Sequence, residues 1–440
     1  MTHPPSSICR LSAAAMVVAL MVVVATISVA RPGCASPPAL SQPVTLGVNQ
    51  QRSGLVPIKG PTSVSSVDST GIAAITSPVY TSDSNFLLIG HKGSGRFFRP
   101  YCTASINGSL VSNPFPTAFQ NASAVGVPSV ASDDRAYVVA AAGSKYYMLA
   151  FSHSCELMYT LSIGSNGVSM SPLVLADNSV VVFGDNILRV IANSSDPYGG
   201  VSVWLDVVSA VGNVGLALSV DNSTGVVFLA CMAPAGKTNN VFVSAWAPLG
   251  GSQVGYSSKW SQQISGAYYC TSPWACSLTP VVCGSLVLVT TSGSIVALDQ
   301  ATGAISWQFG GYFPGSGNQP VYHPAGILVV VDNNTGLLAL QVNSTTTNPN
   351  ILWSVSTGAF QLMRPPVFDA LGNLYVIGGA SSTSDPNGTK LFVFDSRGNV
   401  LISRPTNVPS SQATSPSYIS QPVVLEDRIM VAVGELVIMY

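Results

Sequence analysis

The sequence predicts an all-β chain: an eight-bladed β-propeller of four-stranded antiparallel blades, closed by an N-terminal strand that completes the last blade, with seven blades as the fallback count. Three observations predict it. A proline followed by β-branched, aromatic or other apolar residues recurs at Pro78, Pro128, Pro172, Pro280, Pro320, Pro366 and Pro422, at intervals of 40 to 56 residues apart from one double interval of 108. A copy without proline, from Gly215, falls inside the double interval, so the period gives eight units. Tryptophan recurs in phase at Trp204, Trp260, Trp307 and Trp353. Finally, charged residues are 8% of the chain and hydrophobic ones 47%, with 40 Gly and 30 Pro. A soluble domain is usually about a quarter charged, so this composition favours short buried strands and many turns over amphipathic helices.

The best-preserved unit runs from Thr279 to Phe309. It reads as four β-runs, TPVVC, LVLVT, IVALD and AISWQF, separated by Gly-Ser, Thr-Ser-Gly-Ser and Gln-Ala-Thr-Gly. Runs of Val, Leu, Ile and aromatics broken by Gly and Ser are the pattern of an antiparallel meander. Pro280 stands near the start of the first run, where its missing N–H is tolerated. The tryptophan of the fourth run could stack on a ligand or pack between neighbouring blades, and packing is the expectation for Trp204, Trp260, Trp307 and Trp353.

The two ends predict how the array closes. The last copy, from Gln421, contains three β-runs and stops at Tyr440. A β-rich run near Ser63 to Val67 is expected to supply its fourth strand, leaving no long exposed sheet edge. A linear solenoid would instead need polar caps, and LVIMY is not one.

Residues 1–35 stand apart. Arg10 precedes the apolar run Leu11 to Ala30, and two small-residue cleavage patterns follow, Ser28-Val29-Ala30 and Gly33-Cys34-Ala35. This reads as a secretory signal peptide. The competing reading is an uncleaved signal anchor, because about 20 apolar residues can span a bilayer. Residues 36–42 are a short linker and 43–440 a single propeller domain.

Cysteine and asparagine usage fits export. Beyond Cys9 and Cys34 the chain has Cys102, Cys155, Cys231, Cys270, Cys276 and Cys283, all six candidates for disulfides. The expected bridges are Cys102 with Cys155 and one within the Cys270, Cys276, Cys283 cluster. That cluster has no Cys-x-x-Cys pair and no histidine nearby, which disfavours metal. Seven sequons, at Asn107, Asn121, Asn193, Asn222, Asn333, Asn343 and Asn387, are candidate glycosylation sites. A formal net charge of -1 offers no long-range attraction for nucleic acid.

ALDQATGAISW, with Ala297, Asp299, Gly303 and Trp307, resembles the tryptophan-docking repeat of the pyrroloquinoline-quinone-like (quinoprotein alcohol dehydrogenase-like) β-propellers. Asn49 to Pro61, NQQRSGLVPIKGP, is similar to the segment that often opens them. The resemblance spans residues 43–440 in period but is sharp in one copy; VFDSRGNVL at Val393 and NNTGLLALQ at Asn333 keep fragments. It implies an eight-bladed ring and a choice of functions, from quinone-dependent dehydrogenases to the barrel-assembly lipoprotein of bacterial outer membranes, so fold does not select function.

Quinone chemistry needs a hard cation held by oxygen ligands, a carboxylate base, and, by the resemblance, a disulfide between adjacent cysteines. No Cys-Cys pair occurs, and acidic residues such as Asp133, Asp134, Asp177, Asp221 and Asp332 fall in turn sequences. His91, His153 and His323 lie in separate repeats and no G-x-S-x-G elbow accompanies them. The expectation is therefore a protein that is not an enzyme, with no catalytic, cofactor-binding or metal residue. PQQ with calcium, in a degenerate quinoprotein oxidoreductase, is the alternative. The expected function is an exported, glycosylated binding or scaffold monomer for a protein or glycan partner, secreted or lumenal. A membrane-tethered receptor-like ectodomain is the third reading, with the membrane reached only through the N-terminal anchor.

Overall fold

In the computed structural model the described residues are 59–63, the strands between Asp68 and Ser112, Phe119, and most of 124–440. The gaps of three or more residues after 124 are 153–155, 192–202, 207–213, 233–239, 250–254, 266–278, 312–318, 333–335, 357–359, 381–388, 407–419 and 425–428. Every regular element of some length among them is a strand, and no helix is long and apolar enough to cross a membrane. Leu11 to Ala30, the expected signal or anchor, lies outside the described residues.

The strands form eight antiparallel sheets, numbered here in chain order. Sheet 1 holds Phe86–His91 and Arg99–Thr103 with short strands at Ala73–Ala74, Val79–Tyr80 and Val111–Ser112. Sheet 2 runs through Ser129–Val130, Ala136–Ala142, Lys145–Phe151 and Leu157–Gly164, with Ala124–Val125 also on Ala136–Ala142. Sheet 3 is Leu173–Val174, Val180–Gly184, Ile187–Ile191 and Val203–Asp206; sheet 4 is Val214–Asp221, Val226–Met232, Val241–Pro248 and Tyr256–Ile264. Sheet 5 is Val281–Cys283, Leu286–Thr290, Ser294–Asp299 and Ile305–Gly310; sheet 6 is Val321–His323, Ile327–Asp332, Gly336–Gln341 and Asn350–Val355. Sheet 7 is Val367–Phe368, Leu374–Ala380, Thr389–Phe394 and Val400–Pro405, with Phe360–Leu362 also on Leu374–Ala380.

Sheet 8 joins the two ends of the domain: Val423–Val424, Ile429–Val433 and Leu436–Met439 are followed across the sheet by Asp68–Thr70. Asp68 pairs with Met439 and Thr70 with Val437. The N-terminal contribution is thus as expected in kind but starts at Asp68, not at Ser63. Ser63 stays outside any strand, and 64–67 lie outside the described residues.

The middle strands explain the composition. Val180–Gly184 and Leu286–Thr290 are buried at every position, because each sheet is covered on both faces by its neighbours. Outer strands alternate instead, as in Tyr256–Ile264, and carry the polar side chains. The apolar contacts therefore form seams. Tyr137, Val139 and Met148 of sheet 2 meet Val174, Val180 and Val182 of sheet 3. Phe183 and Val181 meet Leu218 and Val227 across sheets 3 and 4, and Phe228 and Val243 meet Val287 and Val296 across sheets 4 and 5. Leu288 and Trp307 meet Tyr322 and Leu328 between sheets 5 and 6, and Val329 and Leu337 meet Phe368 and Val376 between sheets 6 and 7. At about 1.5–3 kcal/mol per fully buried aliphatic side chain, these seams are the main stabilising term.

The recurrent prolines have a second role. Ser129 Oγ of sheet 2 donates to the carbonyl of Pro172 before sheet 3 (2.7 Å), and Gln421 Nε2 before sheet 8 donates to the carbonyl of Pro366 before sheet 7 (3.2 Å). The expected turn acids behave as such. Asp177 Oδ1 accepts from the Ser179 N–H at 2.9 Å, Asp221 Oδ1 accepts from the Ser223 N–H at 3.0 Å, and Asp133 pairs with Arg135. Asp134 takes the left-handed conformation its turn needs (φ 64°).

Candidate functional site

Of the four tryptophans that mark the period, Trp260 and Trp353 dock alike on the neighbouring sheet. Trp260 leaves the outer strand of sheet 4 and donates its Nε1–H to the carbonyl of Gln300 at 3.0 Å, in the turn between the third and fourth strands of sheet 5. Trp353 of sheet 6 does the same to the carbonyl of Ser396 at 3.0 Å, in the equivalent turn of sheet 7. Each indole lies flat on a glycine. A Cβ on Gly303 would come within 2.6 Å of Trp260 Cδ2, and one on Gly398 within 2.8 Å of Trp353 Cδ2. Both glycines have φ values, +75° and +84°, that other residues rarely adopt.

The aspartates shape these turns. Asp299 Oδ1 accepts from the N–H groups of Ala301 (3.1 Å) and Thr302 (2.8 Å) and from Thr302 Oγ1 (2.7 Å). The Thr302 hydroxyl is the main reason that the Asp299 carboxyl lies below its ordinary value. Asp395 Oδ1 accepts from Arg397 and Asn399 N–H at 2.8 Å each. Here burial alone would raise the carboxyl, and the bonds from Asn399 and Arg397 bring it below the usual value. Trp260 and Trp353 thus reach from one sheet to a turn of the next, at Gln300 and Ser396.

Trp307 departs from that scheme. It is buried in the seam of sheets 5 and 6, but its Nε1 has no hydrogen-bond partner among the described residues. The turn it faces in repeat order, between Gln341 and Asn350, is longer than Asp299–Gly303 and has no Asp-x-x-x-Gly frame. Trp204 is described through its backbone alone, in Val203–Asp206, where it pairs with Arg189.

Cys231 corrects one expectation. It is a free, buried thiol rather than a disulfide partner, inside Val226–Met232, and burial pushes it up to about 12. A strand buried on both faces gives its sulfur apolar neighbours and no cysteine to meet. Cys155, Cys270 and Cys276 lie outside the described residues, and Cys102 is described through its backbone in Arg99–Thr103. Of the sequons, Asn107, Asn121, Asn193, Asn333 and Asn387 also lie outside the described residues, whereas Asn222 is half-buried and Asn343 exposed.

Among the described residues no group of three or more His, Cys, Asp or Glu side chains could hold a metal ion. His153 lies outside them and His91 is described through its backbone. His323 ends Val321–His323, where Nδ1 accepts from the Ala325 N–H (3.2 Å) and the ring lies 5.5 Å from Phe368. Burial holds it below its ordinary value, so at neutral pH it is uncharged.

Exposed large aliphatics are the one surface signal that sequence reasoning missed. Leu371, Val400 and Leu401 of sheet 7 are 57%, 54% and 43% exposed. Register puts them at one end of the sheet: Leu374 pairs with Phe394, which pairs with Val400, and Leu371 lies in the turn just before Leu374. Ile305 in sheet 5 and Ile351 and Leu352 in sheet 6 open their outer strands at the equivalent place. Strand direction puts all of them at the end that carries the docking turns.

Eight such sheets, with tryptophans and turns joining neighbours, define the class of protein as a β-propeller. The chain is similar to Saccharomyces cerevisiae Sqt1, at a TM-score of 0.56 and 10% identity over 87% of this chain and 99% of that one. It is also similar to the C-terminal WD40 domain of Sif2, at a TM-score of 0.52 and 11% identity over 86% of this chain and 99% of that one. Residues 239–435 match the family model described as "Outer membrane protein assembly factor BamB" and so carry the PQQ-like repeat. No curated protein matches the chain.

Proposed function

We propose that this chain is an exported, glycosylated and non-catalytic propeller, a binding module whose partner docks on the end of sheet 7 that carries Leu371, Val400 and Leu401. The observation that carries the reading is the exposure of those three aliphatics at one end of one sheet. Single apolar residues are ordinary on a surface, and several exposed at one end of one sheet favour an interaction site. Aliphatic rather than aromatic side chains favour a protein partner over a glycan, which would be held by stacking. WD40-type likeness supports a scaffold role at the level of fold.

Export rests on Leu11 to Ala30, the sequons and the cysteines. Cys283, buried in sheet 5, is disulfide-bonded, which suits an oxidising compartment. We assign its partner to Cys270 or Cys276, the nearest cysteines in sequence.

The experiment is affinity capture of the secreted protein from its own secretory pathway, followed by reconstitution with the purified partner. Leu371→Ser/Leu401→Ser should abolish binding while leaving the melting temperature unchanged; binding unaffected by the double variant would overturn the docking surface. Dye reduction from an alcohol in the presence of PQQ and calcium would overturn the non-catalytic reading. N-terminal sequencing separates the tethered form, since a start at Arg31 or Ser36 excludes an anchor.

A further inference from the structure

The outer strand of sheet 6, Asn350–Val355, is an edge: it pairs with Gly336–Gln341 on one side and is last in its sheet. Its sequence, NILWSV, has no charge, no proline and no glycine, and Ile351 and Leu352 are 59% and 42% exposed. Such an edge offers unpaired N–H and C=O groups together with apolar side chains, a template for pairing with another chain. Its neighbours are better guarded. Tyr256–Ile264 carries Lys259, Val400–Pro405 carries Arg404 and Pro405, and Ile305–Gly310 exposes a single large aliphatic, Ile305, and ends in glycine.

The turn that leads into this edge is also the one that departs from the docking pattern. Where sheets 5 and 7 place Asp299 and Asp395, sheet 6 has Gln341, and the sequon Asn343-Ser344-Thr345 follows two residues later. Asn343 and Thr345 are both exposed. Asn343 Oδ1 accepts from the Thr345 N–H at 3.0 Å and from Thr345 Oγ1 at 2.9 Å. The two bonds to Oδ1 fix the carboxamide and polarise it through its oxygen, which makes the Nδ2–H proton easier to lose. Asn222, the other described sequon, is arranged differently: it is half-buried, and the Thr224 hydroxyl donates to Asp221 Oδ2 at 2.6 Å.

We propose that Asn343 carries an N-linked glycan that guards the edge Asn350–Val355. This rests on the export reading above. In the transfer, Asn343 Nδ2 forms a bond to the anomeric carbon of a lipid-linked oligosaccharide diphosphate. The carbon–oxygen bond to the diphosphate breaks, the lipid diphosphate leaves with that electron pair, and the amide gives up one proton. The glycan is bulky and strongly hydrated, and the turn that bears it leads directly into the exposed strand. It supplies the protection that Lys259 supplies on the edge of sheet 4 and Arg404 and Pro405 on that of sheet 7.

The test uses the full chain expressed in a eukaryotic secretory host. Peptide-N-glycosidase converts each occupied asparagine to aspartate, and mass spectrometry reads the conversion site by site. Conversion at Asn343 is expected, and Asn343→Gln and Thr345→Ala should each abolish it and shift the secreted protein from monomer to dimers and larger species in light scattering. Adding Leu352→Lys to Asn343→Gln should restore the monomer. Occupancy at other sequons with Asn343 unmodified would overturn this inference and leave export standing. A chain that is neither secreted nor modified anywhere would overturn export and this inference with it. An occupied Asn343 whose loss leaves the protein monomeric would overturn the edge-guarding role.

Discussion

The main-chain N–H of Gly60 donates to the Asp369 carboxylate at 3.1 Å, across 309 residues of sequence. The same oxygen lies 3.2 Å from the hydroxyl of Tyr375 and 2.8 Å from Asn373 Nδ2, while Oδ1 accepts from the N–H groups of Leu371 and Asn373. Tyr375 also donates to the carbonyl of Pro61 at 3.1 Å. The N-terminal segment is thus clipped onto sheet 7 a few residues before Asp68–Thr70 pairs into sheet 8. Gly60→Ala should disrupt this clip, because its Cβ would come within 2.5 Å of Val424 Cγ1 and closer still to the Tyr375 hydroxyl. A loss of about 1–3 kcal/mol is expected in thermal or urea unfolding. Asp369→Ala should cost more, since several buried donors then lose their acceptor.

Trp260 and Trp307 should respond unequally to phenylalanine. Trp260→Phe removes the bond to Gln300 and should cost about 1 kcal/mol beyond the change in packing. Trp307→Phe removes an N–H that has no partner among the described residues, so its cost should be packing alone and the smaller of the two. The difference in urea midpoints at equal m-value checks this. Gly303→Ala should lower the midpoint further, because backbone strain and the clash with Trp260 act together.

Stability should fall in alkali. Burial raises the Cys231 thiol from 9.0 to about 12, and burial with a smaller contribution from Asp177 raises Tyr256 from 10.0 to about 12. The unfolded chain ionises both groups first, so their stabilising effect is complete below about pH 9 and is lost as pH rises toward 12. Urea midpoints between pH 8 and 11 should decline, with a shallower slope in Cys231→Val. Cys231 should resist alkylation in the native protein and react once it is unfolded.

At the acid end the sign reverses. Asp299 and Asp395 lie below their ordinary value, so the stability they contribute is present above about pH 4 and is lost as pH falls through their lower folded values. Both turns are exposed, so the effect of each is small. Asp299→Asn should flatten the acid limb of the urea midpoint without moving the midpoint at pH 7 by much.

The period, the turn acids and the tryptophan docking were legible because each is local. A proline opening a strand, an aspartate two residues before an N–H, and a glycine four residues after Asp299 leave fixed spacings. Trp307 shows the limit of that reading: its own repeat is the best preserved, but its hydrogen bond depends on the next turn, which has diverged. Cys231 shows another, since a count of cysteines cannot say which one lies inside a doubly covered strand. The aliphatics at Leu371, Val400 and Leu401 look like core residues in sequence, and only register places them at an open end.

By itself the sequence determined the all-β class, the repeat and the antiparallel four-stranded sheets, because hydrophobic alternation and turn chemistry act over a few residues. Tertiary structure decided where the closing strand begins, how Gly60 and Asp369 meet, which thiol is free and which apolar side chains face outward. Those depend on groups tens to hundreds of residues apart in sequence, whose approach is governed by close packing between sheets and leaves no fixed spacing in the chain.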